Sequence, residues 1–215
     1  MNMAFMRPAI LKPEGEEYFE PWHPFGGLRP HHYGAILADP PWHFKTFSEK
    51  GRNRCPDWKP FKGSPCRHYQ TMSLEEIASL PVSKLACEHS ALFLWGCWAT
   101  LPQTISVIES WGFAYKTAAF VWLKSGRMGL GYWTRQNTEF CLLATRGRPS
   151  RLSKSVIQGL IAPRRLHSQK PDEVRERIEQ LVAGPYIGLF ARSTRPGWDS
   201  WGDQEGELDV ARQDD

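Results

Sequence analysis

The chain has 215 residues, which is long enough for one substantial domain and short for two. Hydrophobic residues make up 41% and charged residues 23%, so the composition is that of a globular protein and excludes a largely disordered chain. The formal net charge of +4 permits a polyanionic partner without requiring one. We expect only the polar, acidic end "DQEGELDVARQDD" to be loose.

The start of the chain and the cysteines bear on the cellular compartment. The sequence "MNMAFMRPAILKPEGEE" reaches charge and proline before any long apolar run, which argues against a signal peptide, and no later segment could span a bilayer. The five cysteines are odd in number, and no two have the spacing of a zinc knuckle. A metal site built from Cys55, Cys66 and His68 is conceivable, but the spacing is irregular and we predict no metal. We expect a cytoplasmic protein with free thiols.

The first half of the chain alternates between strand and helix patterns. The apolar run at 35–38 predicts a buried strand, and "ALFLW" at 91–95 predicts a second one. Between them, Ser73 and Glu76 have the spacing of a capping box in front of a helical apolar pattern. The order is therefore strand, helix, strand.

The second half continues this alternation. Ile105, Ile108 and Trp111 lie on one face of a predicted helix, and Gly112 is a natural stop. The remaining predicted elements are strands at 116–124 and 138–147, a helix in "KPDEVRERIEQLVAGP" that ends at Gly184, and a last strand in "YIGLFAR". Helices that alternate with apolar strands predict an α/β fold with an open, mostly parallel sheet. Ligands of such sheets lie beyond the carboxyl ends of the strands, and Asp39 follows the first of these ends.

The tetrapeptide Asp39, Pro40, Pro41 and Trp42 has the chemistry of a site for a planar amine. An ionised aspartate only accepts hydrogen bonds, and we expect the proline carbonyls to point outward with few internal competitors. Trp42 offers a flat face for stacking. If both hydrogens of an exocyclic amino group are accepted, its lone pair can attack an electrophilic methyl group, and the carboxylate stabilises the developing positive charge. The alternative is a proline-rich turn around a core tryptophan.

With these residues the chain resembles the MT-A70 family of adenine N6-methyltransferases. The resemblance covers residues 33–204 and rests on six motifs in order: "YGAILADPPW", "HYQTMSLEEI", "ALFLW", "GYWTRQNTEFCLLATRGRP", "HSQKPDEV" and "LFARSTRPGWDSWGDQ". It implies a Rossmann-like methyltransferase fold with permuted motif order, between an N-terminal extension (1–32) that packs on the domain and a flexible acidic tail (205–215). Compact bacterial and phage members are the most similar, which implies the cytoplasm of a bacterium or of a phage-infected cell.

The resemblance implies S-adenosylmethionine as the methyl donor. It assigns Lys170 to the methionine carboxylate, Arg192 and Thr194 to the ribose, and Asp203 and Gln204 to the sugar and the amino-acid end of the cofactor. Asp203 departs from the family pattern, since a carboxylate cannot donate as the usual amide does.

Substrate contacts are expected in the loops around this site. By resemblance Tyr69 borders the target pocket, and Arg135 and Asn137 occupy a loop that could border the base. Two basic segments flank elements assigned to the site, which favours contact with nucleic-acid phosphates over ordinary solvated loops. The first contains Lys45, Lys50, Arg52, Arg54, Lys59, Lys62 and Arg67; the second contains Arg146, Arg148, Arg151, Lys154, Arg164, Arg165 and Lys170.

The leading hypothesis is an S-adenosylmethionine-dependent adenine N6-methyltransferase that acts on nucleic acid, with DNA preferred over RNA. Cytosine N4 methylation is a second enzymatic hypothesis, although Asp39 and Trp42 in their positions favour adenine. A hypothesis of another class is a non-catalytic nucleic-acid-binding subunit of a methyltransferase complex. The intact tetrapeptide and Lys170 argue against it, and either a homodimer or a heterodimer with a related subunit is compatible with the sequence.

Overall fold

A computed structural model describes residues 15–42, 71–126, 133–165 and 169–202. In these ranges seven strands form one sheet: β1 (Tyr33–Ala38), β2 (Ala86–Gly96), β3 (Ala114–Ser125), β4 (Thr138–Arg146), β5 (Gly159–Pro163), β6 (Tyr186–Leu189) and β7 (Trp198–Trp201). Three α-helices accompany them: α1 (Leu74–Ser79), α2 (Leu101–Ser110) and α3 (Glu173–Leu181). Short 3₁₀ turns at Val82–Lys84 and Trp98–Thr100 precede β2 and α2. Across the described ranges, no helix is long and apolar enough to cross a membrane.

The strand order is β5-β3-β4-β2-β1-β6-β7. β4 runs antiparallel to both of its neighbours, β2 and β3, whereas all other neighbouring pairs are parallel. The predicted α/β fold with a mostly parallel sheet is therefore confirmed. β1 pairs with β2 on one side and with β6 on the other, so the order of the strands reverses at β1. A crevice is expected beyond the carboxyl end of such a strand, and Asp39 is the next residue.

Helices α1 and α2 contribute to the hydrophobic core on one face of the sheet. The predicted capping box is confirmed, because the Glu76 amide donates to Ser73 Oγ (3.2 Å) and the Ser73 amide donates to Glu76 Oε2 (2.7 Å). The indole of Trp111 donates to the Ile77 carbonyl at 2.9 Å and ties the end of α2 to α1. Gly112 has a φ of +78°, a conformation that glycine adopts without strain, and it ends α2 as predicted.

Helix α3 belongs to the second core cluster, which lies on the opposite side of the sheet and contains Val174, Ile178 and Trp95. The helix ends at Leu181 and not at Gly184, because Val182 already has an extended backbone and pairs with Arg151 in an isolated bridge. The last predicted strand is also shorter than expected. β6 ends at Leu189, and the following Phe190 has a φ of +58°, which is incompatible with a strand.

The sequence did not predict the two edge strands β5 and β7. β5 pairs with β3 in parallel, with Trp122 opposite Leu160, and β7 pairs with β6 over four residues. Trp201 of β7 packs edge-on against the buried Phe25 with ring centroids 5.1 Å apart, and its indole donates to the Pro24 carbonyl at 2.8 Å. Part of the segment before β1 therefore contributes to the core.

Candidate active site

Charged and aromatic residues from several parts of the chain lie together at the carboxyl edge of the parallel strands. Asp39 follows β1, and Trp95 lies near the end of β2. β4 begins at this edge because it runs antiparallel, so Glu139 lies here at its second position. Lys170 precedes α3 and reaches the same place. The topology thus explains why residues more than a hundred positions apart meet.

The two prolines after Asp39 form a tight turn with internal hydrogen bonds. The Pro40 carbonyl accepts from the Trp42 amide at 2.8 Å, and the Pro41 carbonyl accepts from the Met72 amide at 3.0 Å. The expectation that these carbonyls would have few internal competitors is therefore wrong. A bond between residues two apart is that of a γ-turn, which the fixed φ of Pro41 favours. Each carbonyl oxygen still has a second lone pair for a substrate N–H.

Trp42 lies mainly in the core. Its side chain is 9% exposed, belongs to the same hydrophobic cluster as α1 and α2, and donates from Nε1 to the Trp95 carbonyl at 3.0 Å. This bond fixes the turn to the end of β2. In this arrangement the indole supports the Asp39 loop through packing, and stacking of Trp42 on a substrate ring stays a prediction.

Asp39 and Lys170 form a bidentate ion pair. Lys170 Nζ lies 2.9 Å from Asp39 Oδ1 and 2.8 Å from Oδ2, and it lies 5.4 Å from the centroid of the Trp95 ring. The side chains are 28% and 18% exposed, so solvent screens the pair only partly. Sequence reasoning identified both residues but assigned them to different ligands. The structure shows that they also bind each other.

Glu139 and Lys124 complete the charged cluster, and sequence reasoning missed both. Glu139 Oε2 lies 3.4 Å from Lys170 Nζ, and Glu139 Oε1 forms an ion pair with Lys124, whose ammonium group lies 4.9 Å from the Trp122 ring. Burial alone would raise the pKa of Glu139, but the two ammonium groups outweigh it and lower that pKa below its usual value. The available signal was an acid near the start of an otherwise apolar strand, since a half-buried carboxylate needs a cation.

Cys141 lies beneath this cluster and is fully buried. Burial and the nearby Asp39 carboxylate raise the pKa of its thiol well above the ordinary value. Burial thus disfavours the thiolate form of Cys141.

A cleft runs between the segment before α3 and the end of β6, and we call it the α3–β6 cleft. Asp39, Lys170 and Arg192 line it, and Thr194 lies two residues beyond Arg192. The assignment of Lys170, Arg192 and Thr194 to the cofactor stays a prediction. Trp95 also lines the cleft, and its buried indole N–H has no hydrogen-bond partner among the residues that the structure describes. A buried donor, an ammonium group and a guanidinium group fit the carboxylate and hydroxyl oxygens of S-adenosylmethionine.

Arg175 is a further residue of the α3–β6 cleft that the sequence did not reveal. Its Nη2 donates to the Ser193 carbonyl at 3.2 Å, and its guanidinium lies 5.6 Å from the Trp198 ring. A Cβ added at Gly188 would lie 3.7 Å from Arg175 Nη2. This is an ordinary contact distance, and it shows that Arg175 lies next to β6 at this point of the cleft.

The loop residues predicted to contact substrate lie at the same edge of the sheet. Arg135 is exposed and Asn137 is half-buried just before β4, and the Asn137 carbonyl accepts from the Lys124 amide at 2.7 Å. Arg165 follows β5 and forms an exposed ion pair with Asp172 at 2.6 Å.

The second basic segment does not lie as a whole beside the site. Arg146 ends β4 opposite Ser90, at the amino edge of the parallel strands, because β4 is antiparallel. Arg148 follows it there, and the Arg148 amide donates to His89. The prediction that this segment converges on the site is therefore wrong for its first part, whereas Arg164 and Arg165 follow β5 at the carboxyl edge.

Several predicted residues lie outside the described ranges. These are Lys45, Tyr69, Asp203 and Gln204, the whole first basic segment, and the conceivable metal ligands Cys55, Cys66 and His68. Their assignments remain predictions from the sequence.

Comparisons with known proteins find methyltransferases among the relatives of this chain. The chain is 35% identical to the type II methyltransferase M.MunI of Mycoplasma sp over 179 residues, which span 79% of this chain and 76% of the relative. It is 26% identical to an N(6)-adenosine-methyltransferase MT-A70-like protein of Drosophila melanogaster and 25% identical to the N(6)-adenosine-methyltransferase catalytic subunit METTL3 of Homo sapiens. In these two cases the match spans 80% of this chain but only 27% and 28% of the relative. The model of the MT-A70 family matches residues 33–204, and the chain belongs to that family.

Proposed function

We propose that this protein is an S-adenosylmethionine-dependent methyltransferase that modifies the exocyclic N6 of adenine in nucleic acid. The observation that carries the proposal is the position of Asp39 at the reversal point of the sheet, where it pairs with Lys170 beside a cleft that Lys170 and Arg192 line. Membership of the MT-A70 family supports the same reaction.

The residues of the site would act on the adenine as follows. The Asp39 carboxylate accepts one N–H of the amino group, and the free lone pair of a proline carbonyl can accept the other. The same carboxylate stabilises positive charge as it develops on that nitrogen, in a site whose walls are largely buried. Trp42 holds the turn in place through its bond to the Trp95 carbonyl.

We assign the cofactor to the α3–β6 cleft, with Lys170 at its carboxylate and Arg192 at its ribose. Thr194, Asp203 and Gln204 are proposed as further contacts. When bound there, S-adenosylmethionine would supply the electrophilic methyl group. Lys170 is paired with Asp39 in this structure, and opening of this ion pair would give the full charge of each group to its own ligand.

We favour DNA as the polymer. The relative that this chain matches at 35% identity, over three quarters of that relative's length, is a type II methyltransferase, whereas the N(6)-adenosine-methyltransferases match at 25 to 28% and over about a quarter of their length. RNA is the second candidate because of those relatives. An adenine in a duplex must leave the stack to reach Asp39. Arg135, Asn137, Arg165, Lys45 and Tyr69 are proposed to border the substrate, and a dimer stays a prediction.

The test is methyl transfer from labelled S-adenosylmethionine to matched single-stranded DNA, duplex DNA and RNA oligonucleotides, followed by mass spectrometry of the nucleosides. We expect N6-methyladenine, with more product in DNA than in RNA. More product in RNA would overturn the choice of polymer, and label on the N4 of cytosine would overturn the choice of base. Binding without any methylated nucleoside would favour a non-catalytic subunit.

A further inference from the structure

One lysine is shared by two carboxylates at the site. Lys170 Nζ lies 2.8 and 2.9 Å from the oxygens of Asp39 and 3.4 Å from Glu139 Oε2. Each oxygen of Asp39 keeps a lone pair for a substrate N–H, but an amino group that binds there lies beside the ammonium group of Lys170. The charge of Lys170 opposes the positive charge that develops on the amino nitrogen, so Asp39 stabilises that charge best when Lys170 moves away from it. A largely buried ammonium group that moves away from one acid needs another acid to receive it.

Glu139 is the second acid within reach of Lys170 among the described residues. Its place is fixed by the sheet, since Glu139 on β4 pairs with Trp122 on β3. Lys124, two residues after Trp122, forms an ion pair with the other oxygen of Glu139. The side chains of Glu139 and Lys124 are 19% and 12% exposed, so this ion pair is held by packing as well as by charge.

Lys124 has a distinct part in this arrangement. A half-buried glutamate that faces only one lysine could take up a proton once that lysine turns elsewhere. The second ammonium group favours the charged form of Glu139 whatever Lys170 does, and the Trp122 ring lies 4.9 Å from that group. Glu139 is thereby kept available as a partner for Lys170.

We propose that Glu139 is a positioning residue that, backed by Lys124, takes over Lys170 and so frees Asp39 to accept the amino group of the target base. The inference rests on the proposed function, because it concerns the binding of that base. According to this proposal, the protein distinguishes adenine from a base without the amino group because Lys170 can pair with either Asp39 or Glu139. A merely structural ion pair would affect folding but not this discrimination.

The experiment compares the binding of two oligonucleotides by fluorescence anisotropy without cofactor. Both have the sequence that the wild type methylates, with either adenine or purine, which lacks the amino group, at the target position. We expect the wild type to prefer adenine about tenfold, the size expected of a hydrogen bond to a charged group. In Glu139→Gln the preference should fall below about twofold, because Lys170 then stays on Asp39.

Glu173→Gln is the matched control. It removes one negative charge from an exposed glutamate that pairs with Arg177 at 2.7 Å, so it changes the general attraction to the polymer equally. This variant should keep the preference for adenine, and Glu139→Asp, which keeps the charge, should regain part of it. Lys124→Met should weaken the preference, and its combination with Glu139→Gln should weaken it no further than Glu139→Gln alone.

The outcomes separate the inference from the proposed function. A wild type that methylates adenine, together with a Glu139→Gln variant that still prefers adenine over purine, overturns the inference alone. Equal binding of the two oligonucleotides by a wild type that methylates also overturns it. Absence of methylation by the wild type contradicts the proposed function instead. If Glu139→Gln does not fold, the same comparison is made with Lys124→Met. An unchanged preference of Lys124→Met for adenine over purine then overturns the inference.

Discussion

At the level of single residues, hydrogen bonds fix the turn after β1, and Asp39, the first residue of this turn, pairs with Lys170. The carbonyls of Pro40 and Pro41 accept hydrogen bonds from backbone amides, and the indole N–H of Trp42 donates to the Trp95 carbonyl. Asp39 is then held by Lys170 from across the sheet. The turn formed by these four residues holds the Asp39 carboxylate in place, and Trp42 stabilises the turn through its burial and one hydrogen bond.

The contribution of Trp42 to the stability of this turn can be measured. Trp42→Phe keeps a ring in the core but leaves the buried Trp95 carbonyl without its donor, so the free energy of unfolding should fall by about 1 to 3 kcal/mol. Urea unfolding monitored by circular dichroism measures the change. Trp133→Phe is the control, because Trp133 is 90% exposed and its replacement should change stability by less than about 0.5 kcal/mol. Equal effects of the two substitutions would contradict the account of Trp42.

At the scale of elements, α3 connects the cleft to the edge of the sheet. Glu179 of α3 accepts from Trp198 Nε1 at 2.7 Å and from Arg195 Nε at 3.0 Å. β7, which begins with Trp198, covers the outer side of β6. This contact joins α3 to β7 and, through the pairing of β7 with β6, to the strand that lines the α3–β6 cleft.

We expect Glu179→Gln to weaken this contact in a pH-dependent way. Burial raises the pKa of Glu179, but the hydrogen bonds from Arg195 and Trp198 lower it more, so the net pKa lies below its usual value. Stabilisation by the carboxylate is therefore complete above the pKa of an unfolded glutamate and is lost as the pH falls through the lower, folded value. The variant should be less stable by about 1 to 3 kcal/mol at neutral pH. The difference in stability between the wild type and Glu179→Gln should disappear as the pH falls below about 4.

Thermal unfolding between about pH 3 and 8 measures both effects, since the unfolded glutamate titrates near pH 4.3. Glu173→Gln serves as the control, because its exposed pair with Arg177 should contribute less than about 0.5 kcal/mol. A Glu179→Gln deficit that grows as the medium becomes more acidic would have the wrong sign for this account.

The elements show what the sequence could predict. Apolar runs and capping signals are local, and they located β1, β2, α1 and α2 with the capping box and Gly112 in place. β7 was missed because its four residues become a strand only by pairing with β6. Asp39 and Lys170 were found by motif, but their ion pair joins residues 131 positions apart. Glu139 was missed because its role depends on the antiparallel direction of β4, which also removed Arg146 from the site.

At the scale of the whole molecule, the described residues form one sheet with a core on each face. The segment before β1 takes part in this unit, because Phe25 is fully buried and packs against Trp201 of the last strand. The division into an extension (1–32), a domain (33–204) and a tail (205–215) stays a prediction.

Phe25→Ala tests whether this segment folds with the sheet. The cavity should lower the free energy of unfolding by about 3 to 5 kcal/mol. Transitions followed by tryptophan fluorescence and by circular dichroism should still coincide. Trp22→Ala, at a position 79% exposed, is the control and should have little effect. Two separate transitions in Phe25→Ala would show that the segment unfolds apart from the sheet.

The claim that joins these scales is that Asp39, freed from Lys170, binds the amino group to which the methyl is transferred. The most direct measurement is single-turnover formation of N6-methyladenine by the wild type and by Asp39→Asn, at saturating S-adenosylmethionine and oligonucleotide. We predict that the wild type forms N6-methyladenine and that the variant, with its fold intact by circular dichroism, is slower by about 10²- to 10³-fold. Transfer by Asp39→Asn at the wild-type rate would contradict the account.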